Sequence, residues 1–328
     1  MADNHIIYDY ITFSSKIHSE TCIIEFLGLQ NVKFEQLKGF YGYQDRLYFE
    51  GVSIHYNGRS DMGICVEMSG KGCRTFEKYG NGDYDLLFYE IISNYSENAE
   101  KRQMNITRLD VAYDDFTGVL DLPLLCREAQ LHHFSSRFKD WQVIYGNKGI
   151  SVCHGSNKSN VYIRIYDKRL EQKAESKVEH WVRCEFQIRK ECAYGFICLK
   201  EPIEKKYFQV LNNYLRYIVP SDNESNCRVV DTAPYWLNFI ESAESKSIFF
   251  KPADNYSFDK LYSFVNGQLS GAVTTYIDIV GVDQFLIDIN NSRKQKKLNP
   301  KYETLKDEYD AHSNNIVQFL AERGVENA

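Results

Sequence analysis

Three segments far apart in the chain alternate apolar and polar residues with a period of two: ITRLDVAYDD from position 106, VYIRIYDK from 161 and HWVRCEFQIRK from 180. Successive side chains of a β-strand point to opposite faces, so parity sorts each segment into two stripes. Leu109, Val111 and Tyr113 oppose Arg108, Asp110 and Asp114; Val161, Ile163 and Ile165 oppose Tyr162, Arg164, Tyr166 and Lys168; Val182, Cys184, Phe186 and Ile188 oppose Arg183, Glu185, Gln187 and Arg189. Each strand offers an apolar face to a core. If the three pair in one sheet, their polar stripes merge into a single patch.

A solvated face is the ordinary reading of such alternation. This mixture is not ordinary, because exposed strand faces favour Lys, Glu and Thr, whereas here Arg, whose planar fork grips phosphate, is concentrated beside carboxylates. Asp is depleted in strands, so Asp110 in mid-strand needs a cause. A divalent cation between Asp110 and Glu185 supplies one: two like charges ~4 Å apart at an effective dielectric near 20 repel by about 4 kcal/mol, and a cation reverses that sign. Oxygen-only ligation points to Mg²⁺ or Mn²⁺ over zinc. Tyr166 shares the face with Arg164 and Lys168. A phenol of pKa near 10 is a poor nucleophile without a cation beside it, but a phosphotyrosyl ester keeps the energy of a phosphodiester. That chemistry suits cutting and rejoining a DNA strand, with Arg164 and Lys168 neutralising the phosphate as charge develops.

The rest of the chain sets bounds. Its 328 residues, 43% apolar and 14% aromatic, are those of a folded protein of one large or two ordinary domains. With 39 basic and 45 acidic side chains and a net charge of -6, nucleic-acid binding has to rest on a local basic surface. No apolar run approaches a bilayer span and the N-terminal residues lack a leader pattern, so the expectation is a cytoplasmic protein with no membrane contact. Nine cysteines without a close CxxC pair read as reduced, buried small hydrophobes.

Along the chain, CIIEFLGL, RLYFEGVSIHYNG and GICVEMSG read as short strands, and YDLLFYEIISNYSENAEK as a helix. DLPLLCREAQLHHF reads as a second helix, with Asp121 as N-cap and Pro123 in the first turn. Strands are also expected at WQVIYG and GISVCHGS, and a short helix at RLEQKAES. Beyond residue 200 the pattern turns helical, in KKYFQVLNNYLRYIV, YWLNFIES and FDKLYSFVNGQLSGAVTTYIDIV, and the polar stretch from residue 291 reads as a closing helix. The expected architecture is α+β: a largely antiparallel β-sheet nuclease domain flanked by helices (1–200), then a mainly helical C-terminal region (201–328) for DNA recognition, oligomerisation or partner contact. GICVEMSGKGC at 63 faintly echoes GISVCHGSNKS at 149, as duplicated halves would.

NITRLDVAYDD, GSNKS before VYIRIYDKRLEQ, HWVRCEFQIRK and, upstream, VEMSGKGCR together resemble the replication initiation factor family, which includes rolling-circle initiators of Gram-positive plasmids and relaxases of integrative conjugative elements. The resemblance covers residues 8 to about 250, with the motifs in the family's order. It implies an enzyme that nicks one strand at an origin and leaves the 5′ phosphate on the tyrosine of an IRxY(D/E)K motif, here Tyr166. It further implies that Asp110 and Glu185 are the metal-site acids.

Other readings are weaker. LHHF lacks the His-hydrophobic-His spacing of other nickases, and His154 reads as a turn or core histidine. Tyr162 is the alternative nucleophile among 24 tyrosines. The GKG of MSGKGCR lacks a full P-loop pattern and reads as a hairpin turn. RKQKK at 293–297 reads as a solvated helix end. A tyrosine recombinase would carry its tyrosine on a helical domain. The expected activity is therefore a metal-dependent, site-specific single-strand nickase and strand transferase that starts rolling-circle replication. The same nick could start conjugative transfer, and a module that binds an origin without cutting it is the alternative from another class. Arg108 and Arg183 join Arg164 and Lys168 as phosphate contacts. The expected partners are origin DNA, single-stranded or cruciform, a host helicase and a second copy of the chain.

Overall fold

The computed structural model describes residues 4–147, 149–171, 178–220, 230–241, 248, 261–262 and 264–295. The chain divides into two compact units, Met1–Phe250 and Lys251–Ala328. The first opens with β1 (His5–Ser15), α1 (Glu20–Phe26), β2 (Glu35–Lys38), β3 (Asp45–Phe49), β4 (Val52–Tyr56), β5 (Ile64–Met68), α2 (Gly70–Tyr79) and α3 (Tyr84–Ser93). It continues with β6 (Met104–Asp115), α4 (Leu122–Gln130), β7 (Phe134–Ser136), β8 (Trp141–Gly146), β9 (Gly149–His154), β10 (Val161–Asp167), α5 (Lys168–Glu171) and β11 (Val182–Arg189). α6 (Lys190–Ile197), α7 (Ile203–Tyr214), β12 (Leu215–Tyr217) and α8 (Pro234–Phe239) complete it.

Ten strands form one sheet in the order β2-β3-β4-β5-β1-β6-β11-β10-β9-β8, with every pair antiparallel. β7 and β12 form a separate two-stranded ribbon. The three patterned segments are neighbours, as the merging of their polar stripes requires: β11 lies between β6 and β10, with Glu185 opposite Arg164 and Arg183 opposite both Tyr166 and Asp114. Their apolar stripes are buried, with Leu109, Val111, Ile163, Ile165, Cys184, Phe186 and Ile188 all at 0% exposure. The α+β class with a large antiparallel sheet is thus as expected.

The strand order contains a repetition. β2-β3-β4-β5-β1 and β8-β9-β10-β11-β6 are the same arrangement, joined by the antiparallel seam between β1 and β6. Each half begins with its seam strand and a helix, α1 or α4, and ends with two helices, α2 and α3 or α6 and α7. The halves are therefore related by an approximate two-fold axis. That topology pairs β5 with β11 and β9 with β3, so GICVEMSG on β5 and GISVCHGS on β9 are not equivalent segments. Duplication is visible in the topology, and the echo that pointed to it joins unrelated strands.

Several local expectations change. CIIEFLGL forms α1 rather than a strand because Ser19 caps it, its side chain accepting from the Cys22 amide. A short apolar run with no clear period fits either state. The glycines of MSGKGCR open α2, with Ser69 as N-cap, and do not form a hairpin turn. Asp121 caps α4 as expected, accepting from Leu124 N at 2.9 Å, with Pro123 in the first turn. That helix stops at Gln130. His132 follows in a left-handed conformation, and His133 bonds Glu128 at 2.7 Å.

The boundary expected at residue 200 falls instead at 250, because α7 and α8 lie in the sheet's own core. Tyr207, Leu211 and Trp236 are fully buried there, and the Tyr207 hydroxyl donates to the Cys184 carbonyl at 2.7 Å. Their helical patterning marks helices of the sheet unit, not a new domain. The second unit contains a π-helical turn, Phe264–Gln268, then α9 (Ser270–Val280) and α10 (Val282–Gln295). Residues 296–328, with the last two residues of RKQKK, and residues 172–177, with the QKAES of RLEQKAES, lie outside the described residues. Eight described cysteines are free; Cys22 is exposed, against the expectation of burial. Among the described residues no helix is long and apolar enough to cross a membrane.

Candidate active site

The polar face of β6, β11 and β10 carries the cluster. The Tyr166 side chain lies under Arg164, whose guanidinium carbon is 3.9 Å from the ring centroid. Its hydroxyl donates to Glu185 Oε2 at 3.1 Å and accepts from Lys168 Nζ at 3.4 Å. Two further contacts fix the cations: Lys168 to Glu171 at 2.5 Å and Arg164 to Glu171 at 3.6 Å. α5 places these groups: Asp167 accepts from the Leu170 amide at 2.9 Å, which turns the chain out of β10 and brings Lys168 back over the phenol. Burial, with Glu185 adding to it, raises the Tyr166 pKa far above the ordinary phenol value; Arg183 and Arg164 oppose this incompletely. At rest the group is a neutral phenol. Its conversion to a nucleophile needs an acceptor for its proton and a cation for the resulting charge, and Glu185 and Lys168 stand at those two places.

Glu185 is raised above the usual carboxylate range by burial and then by Asp110 and Asp9. Asp110 is raised by burial and by Asp9, against the pull of Arg108. These acids repel one another across the sheet. Asp9 was missed by the parity argument, and its position explains why. The register of β1 against β6 slips between Tyr8 and Tyr10, a β-bulge at Asp9. A bulge breaks the period of two and re-aims a side chain. Asp9 thereby reaches Arg183, its Oδ2 2.7 Å from Nη1. Gly70 permits the approach, since a Cβ there would come within 2.8 Å of Asp9 Oδ1. The available signal was an aspartate in mid-strand, the same oddity that marked Asp110.

Two expected phosphate contacts are engaged inside the protein. Arg183, 4% exposed, forks onto Asp114 with both bonds at 2.7 Å and reaches Asp9 with its third nitrogen. Arg108 forks onto Asp110 at 2.9 and 2.5 Å and lies 4.0 Å from the Tyr10 ring centroid. Arg164 and Lys168, in contrast, remain beside Tyr166.

The oxygen donors suit a hard cation, but among the described residues no group of three or more His, Cys, Asp or Glu side chains is placed to hold one. Mg²⁺ can be held by one or two carboxylates with water and substrate phosphate completing its shell, and of the two acids expected to do so Asp110 has both oxygens engaged by Arg108 in this structure. His154 is fully buried, 3.2 Å from the Tyr217 hydroxyl through Nε2, and is a core residue. Tyr162 bonds Cys153, lies within electrostatic reach of Arg164 and Glu185, and lines a groove with Asp140, Trp141 and Ser156.

The cluster thus sets a buried phenol between two cations and a carboxylate on one face of an antiparallel sheet. Residues 104–287 match the replication initiation factor family, and residues 5–94 match the N-terminal domain of rolling-circle replication initiation proteins. The first match spans more than half of the chain, which belongs to the replication initiation factor family. The chain is 26% identical over 266 residues to a putative DNA relaxase of Bacillus subtilis (strain 168), NicK, covering 76% of this chain and 74% of that protein. It is also similar to the structure of a rolling-circle replication initiator protein from Geobacillus stearothermophilus. The TM-score is 0.65 and the identity 28%, over 73% of this chain and 96% of that one.

Proposed function

We propose that the protein nicks one strand of origin DNA through a covalent 5′-phosphotyrosine at Tyr166, to start rolling-circle replication or, by the same nick, transfer of a mobile element. The observation that carries this reading is the Tyr166 hydroxyl, 3.1 Å from a carboxylate and 3.4 Å from an ammonium, in a chain of this family. Tyr166 attacks the scissile phosphorus as its proton passes to Glu185. The Oη–P bond forms, the P–O3′ bond breaks, and the 3′ oxygen takes a proton from solvent to leave as a hydroxyl that can prime synthesis, while Glu185 returns its proton to solvent. Lys168 and Arg164 offset the charge that builds on the phosphate. Mg²⁺ or Mn²⁺ held by Asp110 and Glu185 would polarise the phosphoryl oxygen and lower the charge at the point of attack. Arg108 and Arg183 orient the acids rather than the DNA. The helical second unit is assigned to duplex recognition, helicase contact or pairing with a second copy of the chain.

The experiment uses a supercoiled plasmid bearing the cognate origin, with Mn²⁺. Wild-type protein is expected to give a relaxed product carrying bound protein, and Tyr166→Phe to bind DNA and give no adduct. Binding without any relaxation by the wild type supports instead an origin marker that does not cut.

A further inference from the structure

Gln187 lies on the polar stripe of β11, two residues beyond Glu185 and directly opposite Asp110 of β6. The mechanism gives it no part. The residue is 6% exposed, and its Nε2 stands 3.4 Å from Asp110 Oδ2, longer than an ordinary N–H···O bond. Its Oε1 is buried and has no hydrogen-bond partner among the described residues. A buried acceptor without a donor costs stability, so the oxygen calls for a group that binds it. Asp110 and Glu185 decide the sign of that group. Both are raised above the usual carboxylate range, first by burial, and Asp9 repels each. An uncharged donor would satisfy the amide and leave the acids repelling one another, whereas a cation answers both.

From this we infer that Gln187 Oε1 is a third oxygen ligand of the site's divalent cation, beside Asp110 and Glu185. Side chains directly opposed on neighbouring strands have Cβ atoms about 4.5–5.5 Å apart, and diagonal ones about 7–8 Å, so all three reach one space on the face. Amide oxygens are ordinary ligands of hard cations. Glu185 accepts the Tyr166 phenol through Oε2, which leaves Oε1 for the ion. Asp110 Oδ1 takes a bond from Arg108 Nε at 2.9 Å, and a carboxylate oxygen has two lone pairs, so the Arg108 fork does not close the site. An amide has a physical reason to stand here: a carboxylate at this position would add one more negative charge beside Asp9, Asp110 and Glu185. The inference rests on the reading of the two acids as a metal site and adds to it a ligand that carries no charge.

MnCl₂ is titrated into the full chain without DNA, with free Mn²⁺ read by electron paramagnetic resonance, and melting is followed with and without the ion. Gln187→Leu is expected to weaken Mn²⁺ binding by at least about 10-fold, since even groups that only orient a ligand are worth about 10–100-fold. Without Mn²⁺ it should melt at or above wild type, because the orphaned oxygen is gone. Gln187→Glu supplies an oxygen again and should bind Mn²⁺ at least as tightly as wild type, while melting lower without it. Wild-type affinity in Gln187→Leu overturns the inference. So does a Gln187→Leu that fails to fold, or that melts below wild type in the absence of Mn²⁺, since the amide would then hold the sheet and not the ion. The readings fail separately. Mn²⁺ binding lost in Asp110→Asn and Glu185→Gln but unchanged in Gln187→Leu refutes the amide and leaves the acids. No Mn²⁺ binding by wild type refutes the acids as well, whereas adduct formation on origin DNA tests nicking by itself.

Discussion

Replacing Arg183 by Met separates an internal strut from a DNA contact. The side chain is 5% exposed, makes two 2.7 Å bonds to Asp114, itself 2% exposed, and a third 2.7 Å contact to Asp9. Breaking a buried pair by removing one partner leaves an uncompensated charge and costs about 3–5 kcal/mol. In a unit of this size, each kcal/mol moves the melting temperature by about 2–4 °C, so Arg183→Met should melt roughly 6–20 °C below wild type. A second substitution turns this into a test of mechanism. Arg183→Met with Asp114→Leu removes both charges and should recover about 2 kcal/mol or more, since a buried pair replaced by apolar groups is often neutral. The assay is thermal and urea unfolding followed by circular dichroism, with oligo(dT) binding measured on the folded fraction. Arg183→Met melting within 2 °C of wild type while losing DNA binding would falsify the strut and return Arg183 to the phosphate. A double variant no more stable than the single one would show that the loss has another origin.

Other outcomes are expected at separate positions. His154 is buried with its pKa pushed down to about 3 by desolvation, so between pH 7 and 5 the unfolded chain takes up a proton that the folded one refuses. Wild type should lose about 2 kcal/mol of stability over that range from this site, and His154→Gln should flatten the profile by that amount in urea titrations. Asp115 is fully buried and accepts from the amides of Thr117, Gly118 and Leu120 at 3.0, 3.0 and 2.7 Å. Desolvation raises its pKa, but these bonds and His180 overcome it and hold the value low. Its contribution is therefore complete above the ordinary carboxylate pKa and lost as pH falls through the lower folded value; Asp115→Ala should cost about 3 kcal/mol at pH 7. Lys168→Met removes the ammonium 3.4 Å from the phenol oxygen and should slow nicking by about 10²–10³-fold in single-turnover assays, with oligo(dT) binding changed far less.

Much of the site was legible because its three strands keep strict alternation. Parity placed Tyr166, Arg164 and Lys168 on one face of their strand and Glu185 in the polar stripe of another, and the structure brings them together around the phenol. What parity could not supply was pairing. Whether Arg183 faces a phosphate or Asp114 depends on which residue of β6 lies opposite it, a register set by contacts 69 residues apart in sequence. Asp9 escaped because a bulge shifts the very period on which the reasoning relies. The helices of residues 203–239 were recognised as helices, but their membership of the sheet's core appears only once Tyr207 and Trp236 are seen inside it. The repeated half-sheet was within reach only as a guess, since the echo that suggested it joins two strands that the topology does not make equivalent.

The most direct test of the account is to find the atom that carries the DNA. Protein incubated with a single-stranded origin oligonucleotide and Mn²⁺ is digested with trypsin and nuclease, and the peptide that gains a nucleotide is sequenced by mass spectrometry. The account predicts the nucleotide 5′ phosphate on Tyr166 and no other residue. A nucleotide on Tyr162, or on any tyrosine outside the Arg164–Lys168–Glu185 cluster, would contradict it.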